Sequence, residues 1–597
     1  MPTTSFAVII GMTTRMTCST KEATFQMSKT KYPNVIFIIA DQMKWSALRM
    51  YSDIGIETPS LERLASEGVR FETGITPHPL CVPARVSMMT SRYAHSTGAR
   101  RNETLMPPGE LHAFRIWKEL GYTTGLIGKN HCFIQKSDLE TFDVRLELSH
   151  GGISLGDYLG EDNSVKGMEW VVPVDVINKS HSSRNSMVGG SGLGAFYVSD
   201  HDLSGYSSSA IPTQIESFLE RVTNGDTFDG SKETGEQEMP FAIQVSFPDP
   251  HSPNEVPRKY ADMFPPESIN LPPRRYGEFD DPATPERNRV LYEMLNLEEK
   301  PEEEVRNIIG TYLAMTRFVD DGIGRILDKL DELDIRDNTI IVFTADHGDF
   351  AGEHNMFGKG GVNYDSLVRV PYIVSWPAGG VPQGEVDDSP VSTIDLLPTI
   401  LHLSGVADFA SSPTQKAGDD LPPAGPKLLG NIDSEIITSE SLRRLQGKLL
   451  PTVTDAPART AAFSEYGTGG PEFTLDMLRK LPEPKGSAAI MGSLWAREAE
   501  GRRKMVRTRD WKYVTDLSSG SDFNPSGSTA HSQDELYDLV NDPWELTNVA
   551  HSSENVCVIS QMRALLLDWM LETEEYNAVP MPTVIGRGSK PEIDINQ

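Results

Sequence analysis

The sequence predicts an α/β protein: a large, mostly parallel sheet flanked by helices, with a smaller antiparallel-sheet subdomain at the C-terminal end. Three observations carry this. Several short segments are unbroken apolar, β-branched runs, which suit strands buried on both faces rather than one. Amphipathic helical stretches separate those runs. From about Ser434 the texture changes to short strand-like pieces that end in a helix.

The elements follow in order. Residues 34–40 (Asn-Val-Ile-Phe-Ile-Ile-Ala) form the first buried run, which ends in Asp41-Gln42. Residues 60–67 carry Leu61, Leu64 and Ala65 at helical spacing, with Ser60 as the N-cap and Gly68 as the stop. The run 123–128 leads into Lys129-Asn130-His131, 241–247 into Pro248-Asp249-Pro250-His251, and 339–344 into Ala345-Asp346-His347. Between the last two lies a long helix over 305–333, with Ile308, Ile309, Leu313, Phe318, Ile323, Ile326 and Leu330 facing inward. Residues 371–376 give another strand and 393–403 another helix. In the C-terminal part, 459–466, 504–508, 511–515 and 535–539 read as strands and 556–571 as a helix. Segments 149–205 and 406–430, rich in Gly, Ser, Pro and Asp, read as surface insertions, and 518–532 as a loop. The division expected is a disordered tail over 1–32, a catalytic domain over 33–430 and an α+β subdomain over 431–597.

Charge and cysteine usage narrow the function. The 597 residues hold 85 acidic and 55 basic side chains, a net charge of −30, which disfavours nucleic acid and anionic membranes as partners, and neither is expected. An anionic substrate therefore needs a local cluster of cations. The cysteines Cys18, Cys81, Cys132 and Cys557 are too few and scattered for a disulfide framework. No apolar run has the length of a membrane span. The weak apolar stretch 6–12 lacks a basic flank, so the cytoplasm is favoured over secretion.

Sheets of this kind bind ligands beyond the carboxyl ends of their strands, so the groups that follow four strands should meet at one edge. Asp41, Asp346 and His347 offer two carboxylates and an imidazole, a set that suits Ca²⁺ or Mg²⁺ better than a closed zinc site. Cys81-Val82-Pro83-Ala84-Arg85 places a cysteine at a helix start, a proline early in the helix and an arginine one turn on, where N–H groups and a guanidinium favour an anion. Lys129, Arg85 and His251 would stand beside that anion. Each residue alone has an ordinary reading. Strand-end aspartates cap turns, lysines are solvated, and His251 could be a hydrogen-bonded loop residue. Gly192-Leu193-Gly194 lacks a preceding strand and carries no nucleotide-binding reading. Their joint order is what bears weight.

Residues 81–85 resemble the C-x-P-x-R signature of the type I sulfatases, members of the alkaline phosphatase superfamily. Gly128-Lys129-Asn130-His131 resembles the family's G-K-x-H, and Lys359, in the segment that begins Thr344-Ala345-Asp346-His347-Gly348-Asp349, resembles its second lysine. His251 matches its strand-end histidine. Trp511-Lys512-Tyr513, Glu535-Leu536-Tyr537-Asp538 and Asn541-Asp542-Pro543 look like segments of its small antiparallel subdomain. The resemblance runs from about residue 33 to 543.

It implies an alkaline-phosphatase-like fold and hydrolysis of a small-molecule or saccharide sulfate ester. It further implies that a maturation enzyme oxidises Cys81 to formylglycine, whose hydrate is the nucleophile. Asp41, Asp346, His347 and position 81 would hold one divalent metal, with Ca²⁺ favoured over Mg²⁺ or Mn²⁺. Gln42 stands where many members have aspartate; its amide oxygen could ligate with less charge. Asn is common at the position of His347, and Ser at that of Ala84. Arg85 would support residue 81, Lys129 and Lys359 would bind sulfate oxygens, and His251 would protonate the leaving oxygen with His131 assisting. His354 and Cys132 are expected to have structural roles. The rival expectation is a phosphonate monoester or phosphodiester hydrolase, since relatives with this cysteine and a histidine at position 347 cleave those substrates. A binding protein on the same scaffold is disfavoured by the intact cysteine, lysines and carboxylates. Oligomeric state is left open.

Overall fold

The computed structural model describes residues 32–150, 152–153, 165–188, 196–228, 239–410, 426–429, 432–480, 500–516, 533–574 and 583–584. The expected tail lies outside them except Tyr32, which is buried and stacks on Tyr122 with ring centroids 6.0 Å apart. The glycines at 189–192, most of 406–430 and the loop at 518–532 also lie outside.

Strands β1 (Asn34–Asp41), β2 (Val69–Ile75), β3 (Thr123–Gly128), β4 (Val144–Ser149), β5 (Phe241–Pro250), β6 (Thr339–Ala345), β7 (Tyr372–Ser375) and β8 (Glu385–Ser392) share one sheet. Among the described residues it has eleven strands, three of them two-residue pieces at its margins. The order is β2-β7-β6-β1-β5-β3-β4, with β8 paired to β2. From β4 to β6 all neighbours are parallel, and β7 runs against them. β1 pairs with β6 in the register Asn34↔Thr339 to Ala40↔Ala345, so Asp41 and Asp346 leave the sheet side by side.

The unbroken apolar character of β1 follows from burial on both faces. Val35, Phe37 and Ile39 join one core cluster, with Phe114 and Trp117 of α3 (Ala113–Glu119) and Ile400 of α6 (Leu396–Leu403). Ile36, Ile38 and Ala40 join the other, with Ile215 and Phe218 of α4 (Ser207–Thr223) and Ile323 and Leu327 of α5 (Glu302–Glu332). All seven positions expected to face inward on the long helix are buried. Helix α1 (Pro59–Ser66) is capped two residues earlier than expected: Thr58 is its N-cap and Pro59 fills the first turn. Ser60 is therefore no cap. Its backbone N–H and that of Leu61 donate instead to Asp320 of α5, at 3.2 and 2.8 Å. Helix α2 (Cys81–Thr90) is buried along its whole length.

Segment 149–205 is more structured than an insertion. Ser149 ends β4, and a helix spans Val174–Val188. β4 escaped notice because Arg145 and Glu147 interrupt Val144, Leu146 and Leu148, giving alternation rather than a continuous run.

Strands β9 (Ala462–Tyr466), β10 (Arg503–Arg507), β11 (Trp511–Asp516) and β12 (Glu535–Asp538) form the expected antiparallel sheet in that order. α7 (Val556–Glu572) covers one face, with Ile559, Met562, Leu566 and Trp569 on Val506, Tyr513 and Leu536. The other face lays Ala462, Met505 and Val514 on Ile75 and Val368 of the large unit. Each such side chain contributes on the order of 1.5–3 kcal/mol when fully buried. The buried Lys512 fixes the docking by bonding Asp365 at 3.0 Å and also Glu545. Among the described residues no helix is long and apolar enough to cross a membrane.

Candidate active site

The carboxyl ends of β1, β3, β4, β5 and β6 deliver Asp41, Lys129, His150, His251, Asp346 and His347 to the edge where α2 begins with Cys81. Asp346 is anchored at both oxygens. Oδ1 accepts the backbone N–H groups of Gln42 and His347, each at 3.0 Å, and Oδ2 accepts Arg85 Nε at 2.7 Å. Asp41 Oδ2 accepts the Lys129 ammonium and, at 3.2 Å, the other branch of the Arg85 guanidinium. Arg85 also donates to Ser246 Oγ at 2.8 Å and the Lys129 carbonyl at 3.2 Å, so the planar fork ties four elements together. Burial pushes the Asp41 carboxyl up, but Lys129, His251, His150 and Arg85 together hold it well below the usual range.

Cys81 Sγ lies 3.1 Å from His347 Nε2, 2.9 Å from Lys359 Nζ and 3.9 Å from Asp41 Oδ1. His347 Nδ1–H donates to the Gly348 carbonyl at 2.9 Å, so Nε2 is the nitrogen that faces Cys81, and it also meets Lys359 Nζ at 2.9 Å. Burial and Asp41 raise the Cys81 pKa, yet Lys129, Lys359 and His347 outweigh them and hold the thiol well below its ordinary value. Ligand atoms of Asp41, Cys81, Asp346 and His347, all buried, lie within 4.8 Å of one another. Gln42, whose backbone N–H bonds Asp346, has a side-chain Oε1 that is buried without a hydrogen-bond partner. Two carboxylates, an imidazole lone pair and an amide oxygen fit a hard divalent cation. A sulfur at position 81 fits it poorly, and an oxygen function there would complete the set.

A second cluster adjoins the first. His150 Nε2 is 2.9 Å from Lys129 Nζ and 3.8 Å from Asp41 Oδ2, and its ring stacks on His251 at 4.0 Å between centroids. His251 Nδ1–H donates to the Ser252 carbonyl at 2.5 Å. Burial and Lys359 lower the His251 pKa, and burial and Lys129 lower that of His131, which also interacts with Cys81. All ten residues named from the sequence, Asp41, Gln42, Cys81, Arg85, Lys129, His131, His251, Asp346, His347 and Lys359, thus gather at one edge. His354 lies apart, paired with Glu278 at 2.7 Å, and Cys132 sits in the core. His150 was missed; the alternating strand that precedes it was the available signal.

The family model described as Sulfatase matches residues 33–406. An ulvan-active sulfatase of Formosa agariphila is 28% identical over 442 residues, covering 72% of this chain and 71% of its own. An N-acetylglucosamine-6-O-sulfatase of Bacteroides thetaiotaomicron is 24% identical over 599 residues, covering 95% and 91%. In fold, the solved phosphonate monoester hydrolase of Agrobacterium radiobacter superposes with a TM-score of 0.63 at 21% identity, over 91% of this chain and 96% of its own.

Proposed function

The chain belongs to the sulfatase family and is a sulfuric ester hydrolase, and from that premise we propose that it cleaves a sulfate monoester through a formylglycine made from Cys81, with one divalent metal, Ca²⁺ before Mg²⁺ or Mn²⁺. The observation that carries this reading is the position of Cys81, which touches His347 and Lys359 and shares a ligand cluster with Asp41 and Asp346. A saccharide ester is the favoured substrate class, because the relatives named above carry polysaccharide and amino-sugar sulfates in their names.

Asp41, Asp346, His347, residue 81 and the Gln42 amide oxygen would hold the metal, which supplies Lewis-acid polarisation of a sulfate oxygen and orients the nucleophile. As a hydrated aldehyde, residue 81 bonds to sulfur through one hydroxyl while the ester oxygen departs as the alcohol. Loss of the proton from its other hydroxyl re-forms the C=O bond and expels sulfate, and water restores the hydrate. Lys129 and Lys359 neutralise the sulfate oxygens as charge shifts. With Nδ1–H held by the Ser252 carbonyl, Nε2 is the nitrogen left for the transferable proton: the imidazolium form of His251 would give that proton to the leaving oxygen and end as the neutral ring. His131 assists at the same edge. Arg85 holds the two carboxylates in place and supports residue 81. A maturation enzyme that generates formylglycine is the partner this chemistry requires.

Mass spectrometry of the peptide that contains residue 81 tests the nucleophile: fully active protein with an intact thiol overturns it. Steady-state comparison of aryl sulfate with aryl phosphonate tests the ester. His347 favours phosphonate monoester or phosphodiester hydrolysis as the second reading, and preferred turnover of the phosphonate would install it.

A further inference from the structure

We propose that Asp349 is a positioning residue that turns the Gln42 amide oxygen toward the cation site, so that the two side chains act as one unit. The inference rests on the reading of Asp41, Asp346 and His347 as metal ligands.

Gln42 is pinned by its backbone at the end of β1. Its φ is +66°, its N–H donates to Asp346 Oδ1 at 3.0 Å, and its carbonyl accepts the Tyr312 hydroxyl at 2.8 Å. Its side-chain Nε2 donates to Asp349 Oδ2. A carboxylate only accepts, so the NH₂ end of the amide is the end that faces Asp349 and the oxygen is directed away from it. That oxygen is buried and has no hydrogen-bond partner, a state that calls for an ion or water beside it. With Asp346 touching the same residue, a hard cation is the group that satisfies it.

The ordinary reading of Asp349 is a cap for the turn after β6. Its two oxygens separate the roles. Oδ1 accepts the N–H groups of Ala351 at 2.6 Å and Gly358 at 3.0 Å, which is the turn-forming duty. Oδ2 is committed to Gln42. Asp349 is fully buried, which fixes the side chain between the turn and Gln42.

Asp349→Asn keeps Oδ1 for the turn and replaces Oδ2 by a second NH₂ that opposes the one on Gln42. The amide then turns over and presents nitrogen to the cation. Calorimetry of Ca²⁺ binding, with Mn²⁺ binding followed by electron paramagnetic resonance, should show affinity weakened about 10–100-fold, with the circular dichroism spectrum unchanged. Gln42→Leu should lose a similar amount. Gln42→Glu combined with Asp349→Asn restores an acceptor for the new NH₂ and an oxygen for the cation, and should bring affinity back to within about threefold of wild type, on the scale of these ligand-support effects. Wild-type affinity in Asp349→Asn, or in Gln42→Leu, overturns the proposal. Should Asp349→Asn fail to fold, a Ca²⁺-soaked crystal of the wild-type protein decides. Gln42 Oε1 at about 2.3–2.6 Å from the ion, with Nε2 on Asp349, upholds it, and any other amide orientation overturns it. Wild-type protein that binds none of Ca²⁺, Mg²⁺ or Mn²⁺ refutes instead the metal reading beneath it.

Discussion

Lys359→Met removes one ammonium from the reaction centre while keeping a side chain of similar length. Lys359 Nζ lies 2.9 Å from both Cys81 Sγ and His347 Nε2. Burial opposes its charge, but Cys81, Asp41 and Asp346 raise its pKa above the usual lysine value, so it is cationic at neutral pH. Two unit charges about 3 Å apart at an effective dielectric of about 20 interact by about 5–6 kcal/mol. Sulfuryl transfer moves only part of a charge between ground and transition states. About half of the full figure, 2–3 kcal/mol, is therefore at stake, or about 30–150-fold in kcat. The assay is steady-state hydrolysis of an aryl sulfate, with formylglycine content at residue 81 first matched by mass spectrometry, so that a maturation defect is not mistaken for a catalytic one. Because the hydrogen bonds of Lys359 go to the site and not to the core, thermal stability should hardly change. A kcat within threefold of wild type at equal conversion would refute the assignment of this charge to the transition state.

Other outcomes follow from the same structure. His150→Ala removes the ring stacked on His251, so hydrolysis of alkyl or sugar sulfates should slow about tenfold or more, within the range of an acid-catalysis contribution, while nitrophenyl sulfate, which leaves without protonation, changes little; equal loss on both substrates would contradict this. His150→Phe keeps the stack and should recover part of the rate. Trp117→Ala empties a site that is 2% exposed and packed edge-on against Phe114 at 5.0 Å. It should cost about 3–5 kcal/mol and lower the thermal midpoint by several degrees, and an unchanged midpoint would contradict the packing. Glu545 is raised from 4.5 to about 7, by burial first and by Asp365, against the pull of Lys512. The folded state therefore binds its proton more tightly than the unfolded one, so this group's stabilisation is present at low pH and is lost as pH rises from about 4.5 to about 7. Glu545→Gln should flatten denaturant-measured stability across that window; a profile parallel to wild type would count against it.

Much of the catalytic edge was legible because its chemistry sits directly after apolar runs that only a doubly covered strand explains. Asp41, Lys129, His251 and Asp346 share that grammar, and the register of β1 against β6 places two of them side by side. His150 was hidden because β4 alternates: Arg145 and Glu147 pair with one another at 3.4 Å beside the core. The Ser60 cap was misplaced because the groups that satisfy the first turn of α1 come from Asp320, 260 positions away, which local pattern cannot contain. Asp349 likewise owes its place to Gln42 at the end of a strand 307 positions earlier. Substrate shape stayed out of reach for the same reason, since it depends on how distant loops meet above the edge.

The guanidinium of Arg85 reaches both Asp41 and Asp346 while standing 1% exposed. Two like charges that would otherwise spring apart are thus braced by a cation of the chain itself. The consequence is a preformed socket: a chelator should strip the protein of activity without unravelling it, and the cation should reload into walls that never moved. Were the proposed cation to load in this way, it would switch chemistry alone, unlike small metal-nucleated domains whose folding energy is the binding energy.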